Sequence, residues 1–132
     1  MKAVLLALHA FLRNIKDPQM ETRKKYLEEY PNMSYASEIG MADLDFERKF
    51  AETLKKEFTG YLDTYLFHIR RNEPRAASEI VYKLKFKLSI LRMNNAVVFA
   101  EFYGDRLRVG DMSLADDFKR ILRRVDTFLS SL

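Results

Sequence analysis

Phe46, Phe50, Leu54, Phe58, Leu62, Tyr65 and Ile69 recur every three or four residues, and a spacing kept up for about six turns forces one long amphipathic helix from Asp43 onward. Such a helix cannot stand alone in water, because its apolar stripe needs other elements to cover it. It runs out at Arg70-Arg71, cations suited to the negative end of the helix dipole. Asn72-Glu73-Pro74 then makes a tight turn, with Asn72 expected to cap the next helix and Pro74 in its first turn.

That next helix is expected to reach about Arg92. Met93-Asn94-Asn95 reads as a sharp break, with an Asn capping a third helix through Val97, Phe99, Phe102 and Tyr103 and with Gly104 and Gly110 loosening its end. A fourth helix is expected from a Ser113 cap, with Asp116 in the capping-box position, through Leu114, Phe118, Leu122, Val125, Leu129 and Leu132. Short connections make sequence neighbours pack antiparallel. The expected fold class is therefore all-α, an up-down-up-down four-helix bundle over residues 43–132, preceded by one or two accessory N-terminal helices in residues 1–42.

The composition agrees and removes whole classes of chemistry. A chain of 132 residues supports one core, and 4 Gly with 3 Pro are too few for a turn-rich β fold. The absence of Cys excludes disulfide frameworks, thiol chemistry and zinc ribbons, and two imidazoles, His9 and His68, are too few for a multi-histidine metal site. No cofactor is expected. A net charge of +4 is compatible with many partners and diagnostic of none.

Lys2 followed by the apolar run Ala3 to Leu8 invites a targeting reading, but the run is broken by His9, ends at Arg13, lacks a small-x-small cleavage pattern and is too short to span a bilayer. No membrane partner and a cytoplasmic location are expected. A short amphipathic helix through about Ile15 is the plainer reading, stopped by Asp17-Pro18. A second, from Glu21 to about Tyr30, ends at Pro31, and residues 32–41 read as a loop.

The helix from Pro74 to Arg92 is the most informative, because its apolar residues occupy two faces. Ala77, Val81, Leu84, Leu88 and Leu91 fall together as a core stripe. Tyr82, Phe86 and Met93 fall roughly opposite, with Ser89 beside them, Arg75 on the same stripe and Lys83, Lys85 and Lys87 flanking it. Two readings of this aromatic strip stay open: a satellite core covered by an N-terminal helix, or a partner-docking face with an aromatic centre and a cationic rim. The residues assigned to the docking face are Arg75, Tyr82, Lys83, Lys85, Phe86, Ser89 and Met93.

The stretch Val81 to Leu91, VYKLKFKLSIL, resembles the signature helix of histidine-phosphotransfer domains, with its pattern His-x-x-Lys-Gly followed by small polar residues and a Leu before Gly. Tyr82 stands where that family has its phosphorylated His, Leu84 and Lys85 match its Leu and Lys, and Leu91 matches the later Leu. A Phe-rich helix and tight turn before the signature, and two antiparallel helices separated by a Gly-containing turn after it, extend the resemblance over about residues 43–132.

The departures bear on function. Reversible transfer needs a nitrogen nucleophile, whereas a phosphoryl group on the Tyr82 phenol would be trapped as a stable ester. Phe86 replaces the Gly that lets a receiver domain approach, and Arg92 replaces the second Gly. Lys85 alone remains to balance phosphoryl charge. His68 lacks the following Lys-Gly pattern and reads as a partly exposed helix residue; His9 reads as a packing residue. Neither has a Glu three residues before it, Leu6 and Tyr65 standing there, so a carboxylate-bridged di-metal site is not expected. No phosphate-cradling loop or nucleophile elbow is present. The resemblance thus implies a bacterial-type, non-enzymatic relative of the phosphotransfer domain that binds a receiver domain or a sensor histidine kinase without accepting phosphate. The competing class is a helical adaptor or nucleic-acid-binding protein resting on Lys119, Arg120, Arg123 and Arg124; the interleaved Asp116, Asp117 and Asp126 favour a solvated face over a phosphate-tracking one. A homodimer through the aromatic strip is left open.

Overall fold

The computed structural model describes residues 23–132, and every regular element among them is helical. After a helical stretch over residues 23–27 come α1 (Ser34–Ile39), α2 (Leu44–Arg70), α3 (Pro74–Ile90), α4 (Asn94–Arg108) and α5 (Ala115–Ser130). The expected first helix, His9 and the apolar run at Ala3 lie outside the described residues.

The long helix begins where its sequence demands. Asp43 takes an extended backbone and its Oδ1 accepts from the amides of Asp45 and Phe46, while Asp45 and Glu47 place negative charge at the positive end of the dipole. Arg71 to Glu73 make the turn into α3, with Pro74 at its first position. Asn72 does not cap that helix: it holds a left-handed φ of 56°, and Glu73 is the N-cap. An Asn tolerates that conformation better than most side chains, which makes it the turn former here.

Three other expected boundaries move, each because the satisfying group comes from elsewhere. Residues 32–41 are not all loop: Asn32 Oδ1 accepts from the amide and hydroxyl of Ser34, and α1 follows. The first amides of α4 are not capped by an Asn; the carboxylate of Glu29 accepts from the amides of Asn95 and Ala96 at 3.0 and 2.9 Å. Ser113 does not cap α5 either. Its amide donates to Asp111 Oδ1, and the helix starts from Leu114. Gly104 lies within α4 rather than loosening its end, which comes at Arg108; Gly110, with φ 86°, turns the chain beyond.

The helix most fully engaged is α3, which packs on α4 and on α2; α5 closes against α2 and, less extensively, against α4. The core stripe read from α3 is buried throughout, from Ala77 through Val81, Leu84 and Leu88 to Leu91. Opposite it Tyr65, Phe99, Tyr103 and Phe118 interlock, with Tyr65 edge-on to Phe118 at 5.4 Å and the two tyrosine hydroxyls hydrogen-bonded to each other. Pairing those hydroxyls lets two phenols sit in an apolar interior without an orphaned polar atom. Phe46 and Phe102, expected inside, are exposed instead.

The thinner α4–α5 seam is covered by residues 23–33. Tyr26 stacks on Phe99 of α4 at 4.3 Å and its hydroxyl donates to Asp117 of α5, which also receives two bonds from Arg23. Arg124 of α5 lies over the ring of Tyr30, Pro31 is buried, and the amide of Asn32 donates to the Leu91 carbonyl. Tyr26, Leu27 and Met33 pack against the core cluster.

Candidate functional site

The outer face of α3 separates the expected strip into three behaviours. Tyr82 is half-buried because α4 carries a glycine beside it: a Cβ on Gly104 would lie 3.1 Å from Tyr82 Cζ and 3.2 Å from Cε1. Its hydroxyl donates to Asp105 Oδ1, and that bond, ahead of burial, raises its pKa above the usual 10.0. The Arg108 guanidinium lies 4.8 Å from the ring centroid and Lys85 Nζ 5.4 Å. The phenol is thus engaged by α4, and its cover comes from Gly104, Asp105 and Arg108 rather than from residues 23–39.

One turn further, Phe86 is 64% exposed. Lys85 Nζ lies 5.4 Å from its centroid as well, so this single ammonium serves both rings. Lys83 and Lys87 turn the other way, each 5.8 Å from the Tyr61 ring of α2, and Lys87 also pairs with Glu57. The flanking lysines of the sequence therefore divide between two neighbours. Arg75 is exposed at the start of the helix, and exposed Ser89 lines a shallow cleft with Tyr35, Phe86, Ile90, Arg92 and Asn94.

Met93 is the member of the expected face that the structure removes. It is fully buried in the core. The helical projection fails there because α3 ends at Ile90 and Arg92 takes a left-handed φ of 61°, which swings the next side chain inward.

The sequence reading missed what α4 adds. Val98, Phe102 and Val109 are 69%, 41% and 72% exposed, and at these spacings they share one stripe with Asp105, the partner of Tyr82. An apolar stripe on α4 thus runs alongside Tyr82 and Phe86. The four-residue step from Val98 to Phe102 and the seven-residue step to Asp105 and Val109 are legible in the sequence, but which side of α4 meets α3 is not.

The remaining candidates do not assemble a reactive centre among the described residues. His68 Nδ1 lies 3.1 Å from Glu73 Oε1, and that contact is the first cause holding the Glu73 carboxyl below its usual range. No cluster of His, Asp and Glu among the described residues has the arrangement of a metal site, and no described helix is long and apolar enough to cross a membrane. The basic residues of α5 do not form one open strip: Arg120 and Arg123 are exposed, Lys119 is half-buried, and Arg124 is turned onto Tyr30.

No family model, curated protein or solved structure matches the chain.

Proposed function

We propose that this chain is a non-catalytic interaction module, an up-down-up-down four-helix bundle resembling a phosphotransfer domain that has lost its phosphorylatable histidine. It docks a receiver domain or a sensor histidine kinase of a two-component system through the outer face of α3, without accepting phosphate. The observation that carries the reading is the state of Tyr82: the residue at the position where the resemblance expects a nucleophile is a phenol whose hydroxyl is held by Asp105 and whose ring lies against Gly104. A side chain so engaged supports a surface used for contact rather than chemistry. Phe86, exposed one turn away beside Lys85 and the α4 residues Val98 and Phe102, gives that surface an apolar centre with a cationic edge.

The test is a titration of the fluorescently labelled chain with the receiver domains and sensor-kinase dimerisation domains encoded by the same genome. Saturable binding that weakens at least several-fold in Phe86→Ala, together with no acid-labile phosphate on the chain after incubation with phosphorylated receiver, is the expected result. Phosphate recovered on His68, or binding indifferent to Phe86, overturns it. Steep salt-dependent binding to DNA or RNA would move the protein to the competing class.

A further inference from the structure

The link between α1 and α2 is the strained part of this chain. Met41 and Ala42 are consecutive and both left-handed, at φ 52° and 62°. Neither residue has a side-chain reason to be there. Ala and Met are among the best right-handed helix formers, and the left-handed region penalises any residue carrying a Cβ. Gly40, which has the needed freedom, sits just before them in ordinary geometry, with Phe46 closed down on its Cα. Around this corner the apolar side chains of Ile39, Met41 and Leu44 are 47%, 89% and 79% exposed.

What the link holds in place is a detachable piece. Except for α1, which meets α2 through Tyr35–Phe50 and Ser37–Glu47, the contacts of residues 23–39 go to parts of the chain far away in sequence. Arg23 and Tyr26 reach Asp117, Tyr26 stacks on Phe99, Glu29 caps α4, Asn32 meets Leu91, and Glu38 pairs with Arg92. A second copy of the same chain presents every one of those partners in the same geometry.

We infer that residues 23–39 exchange between two copies of this chain, with residues 40–43 as the hinge. Opening the hinge lets Met41 and Ala42 relax to right-handed backbone, so that α1 runs on into α2 while Arg23, Tyr26, Glu29 and Glu38 dock on the other copy. Only contacts at the hinge itself are lost, such as Met41 to the Glu38 carbonyl and Ala42 to the Ser37 carbonyl. The two-fold axis of the exchanged dimer brings the two hinges side by side, where Ile39, Met41 and Leu44 of each copy cover one another. Short links under strain favour this kind of exchange, because the closed and exchanged forms share all other contacts.

The experiment is refolding of the full chain at high concentration, followed by light scattering on the size-fractionated product. The wild type yields a dimer that persists on dilution, and the double change Met41→Gly with Ala42→Gly, which removes the strain without touching the docked residues, lowers its yield several-fold. A second arm uses the Arg23–Asp117 pair. Arg23→Asp and Asp117→Arg each set like charges together within one chain, and in an exchanged heterodimer of the two variants both pairs become opposite in charge. Refolding the two variants together therefore gives mainly heterodimer. A wild type that stays monomeric, a dimer yield unchanged by the glycines, or a mixture with no preference for the heterodimer each overturns the inference.

Discussion

The ring of Tyr82 lies over the bare Cα of Gly104, so close that a methyl group on that carbon would stand 3.1 Å from Tyr82 Cζ. Gly60 in α2 has nothing within 4 Å of the same construction. The two glycines should respond oppositely to one change. Gly60→Ala removes the entropic cost of glycine in an exposed helix and should stabilise by about 0.5–1 kcal/mol. Gly104→Ala gains the same propensity but must lift Tyr82 off α4, so its gain should vanish and the Tyr82–Asp105 bond should weaken. Urea denaturation of both variants measures the difference.

Alkaline pH should unfold the protein by a traceable route. Burial pushes Tyr26 and Tyr103 up to about 12, and burial pushes Tyr65 up as well. In the unfolded chain these phenols ionise near 10, so above that pH the folded state binds more protons than the unfolded one, and stability falls as pH rises. The contribution is intact below pH 10 and is lost through the window up to about 12 for Tyr26 and Tyr103. Thermal melts between pH 8 and 12, followed by circular dichroism, should show a constant midpoint and then a steep decline.

Glu29→Ala should act as the loss of a helix cap although Glu29 lies outside the helix it serves. Removing its carboxylate strands the amides of Asn95 and Ala96, at a cost of about 0.5–2 kcal/mol. Amide exchange at Ala96 should accelerate more than exchange in the middle of α2, which identifies the loss as local to α4.

The fragment 43–132 should melt cooperatively but at a lower temperature than the full chain. It keeps the contacts among α2, α3, α4 and α5 and loses the Tyr26–Phe99 stack, the two bonds from Arg23 to Asp117 and the Glu29 cap. A melt without cooperativity would mean that the first forty residues belong to the core.

Phe86→Ala should leave stability within about 0.5 kcal/mol, because most of the ring is already in solvent. Tyr82→Ala removes a hydroxyl bond and a ring seated on α4 and should cost clearly more. Denaturation midpoints of the two variants check the order.

Periodicity alone determined the all-helical class, the start of α2 at Asp43 and the buried stripe of α3, because a residue's angular position on a helix depends only on local geometry. The same logic placed Phe86 outside. It misplaced Met93, since a single left-handed residue at Arg92 ends the projection, and it could not find the Glu29 cap, whose acceptor comes from more than sixty residues away. Tyr82 marks the boundary most sharply. Its outward angle follows from counting along α3, but whether it stands free or lies down depends on which residue of α4 passes beside it. That residue is Gly104, next to Asp105, and their meeting is a property of how two helices pack, which no local pattern encodes.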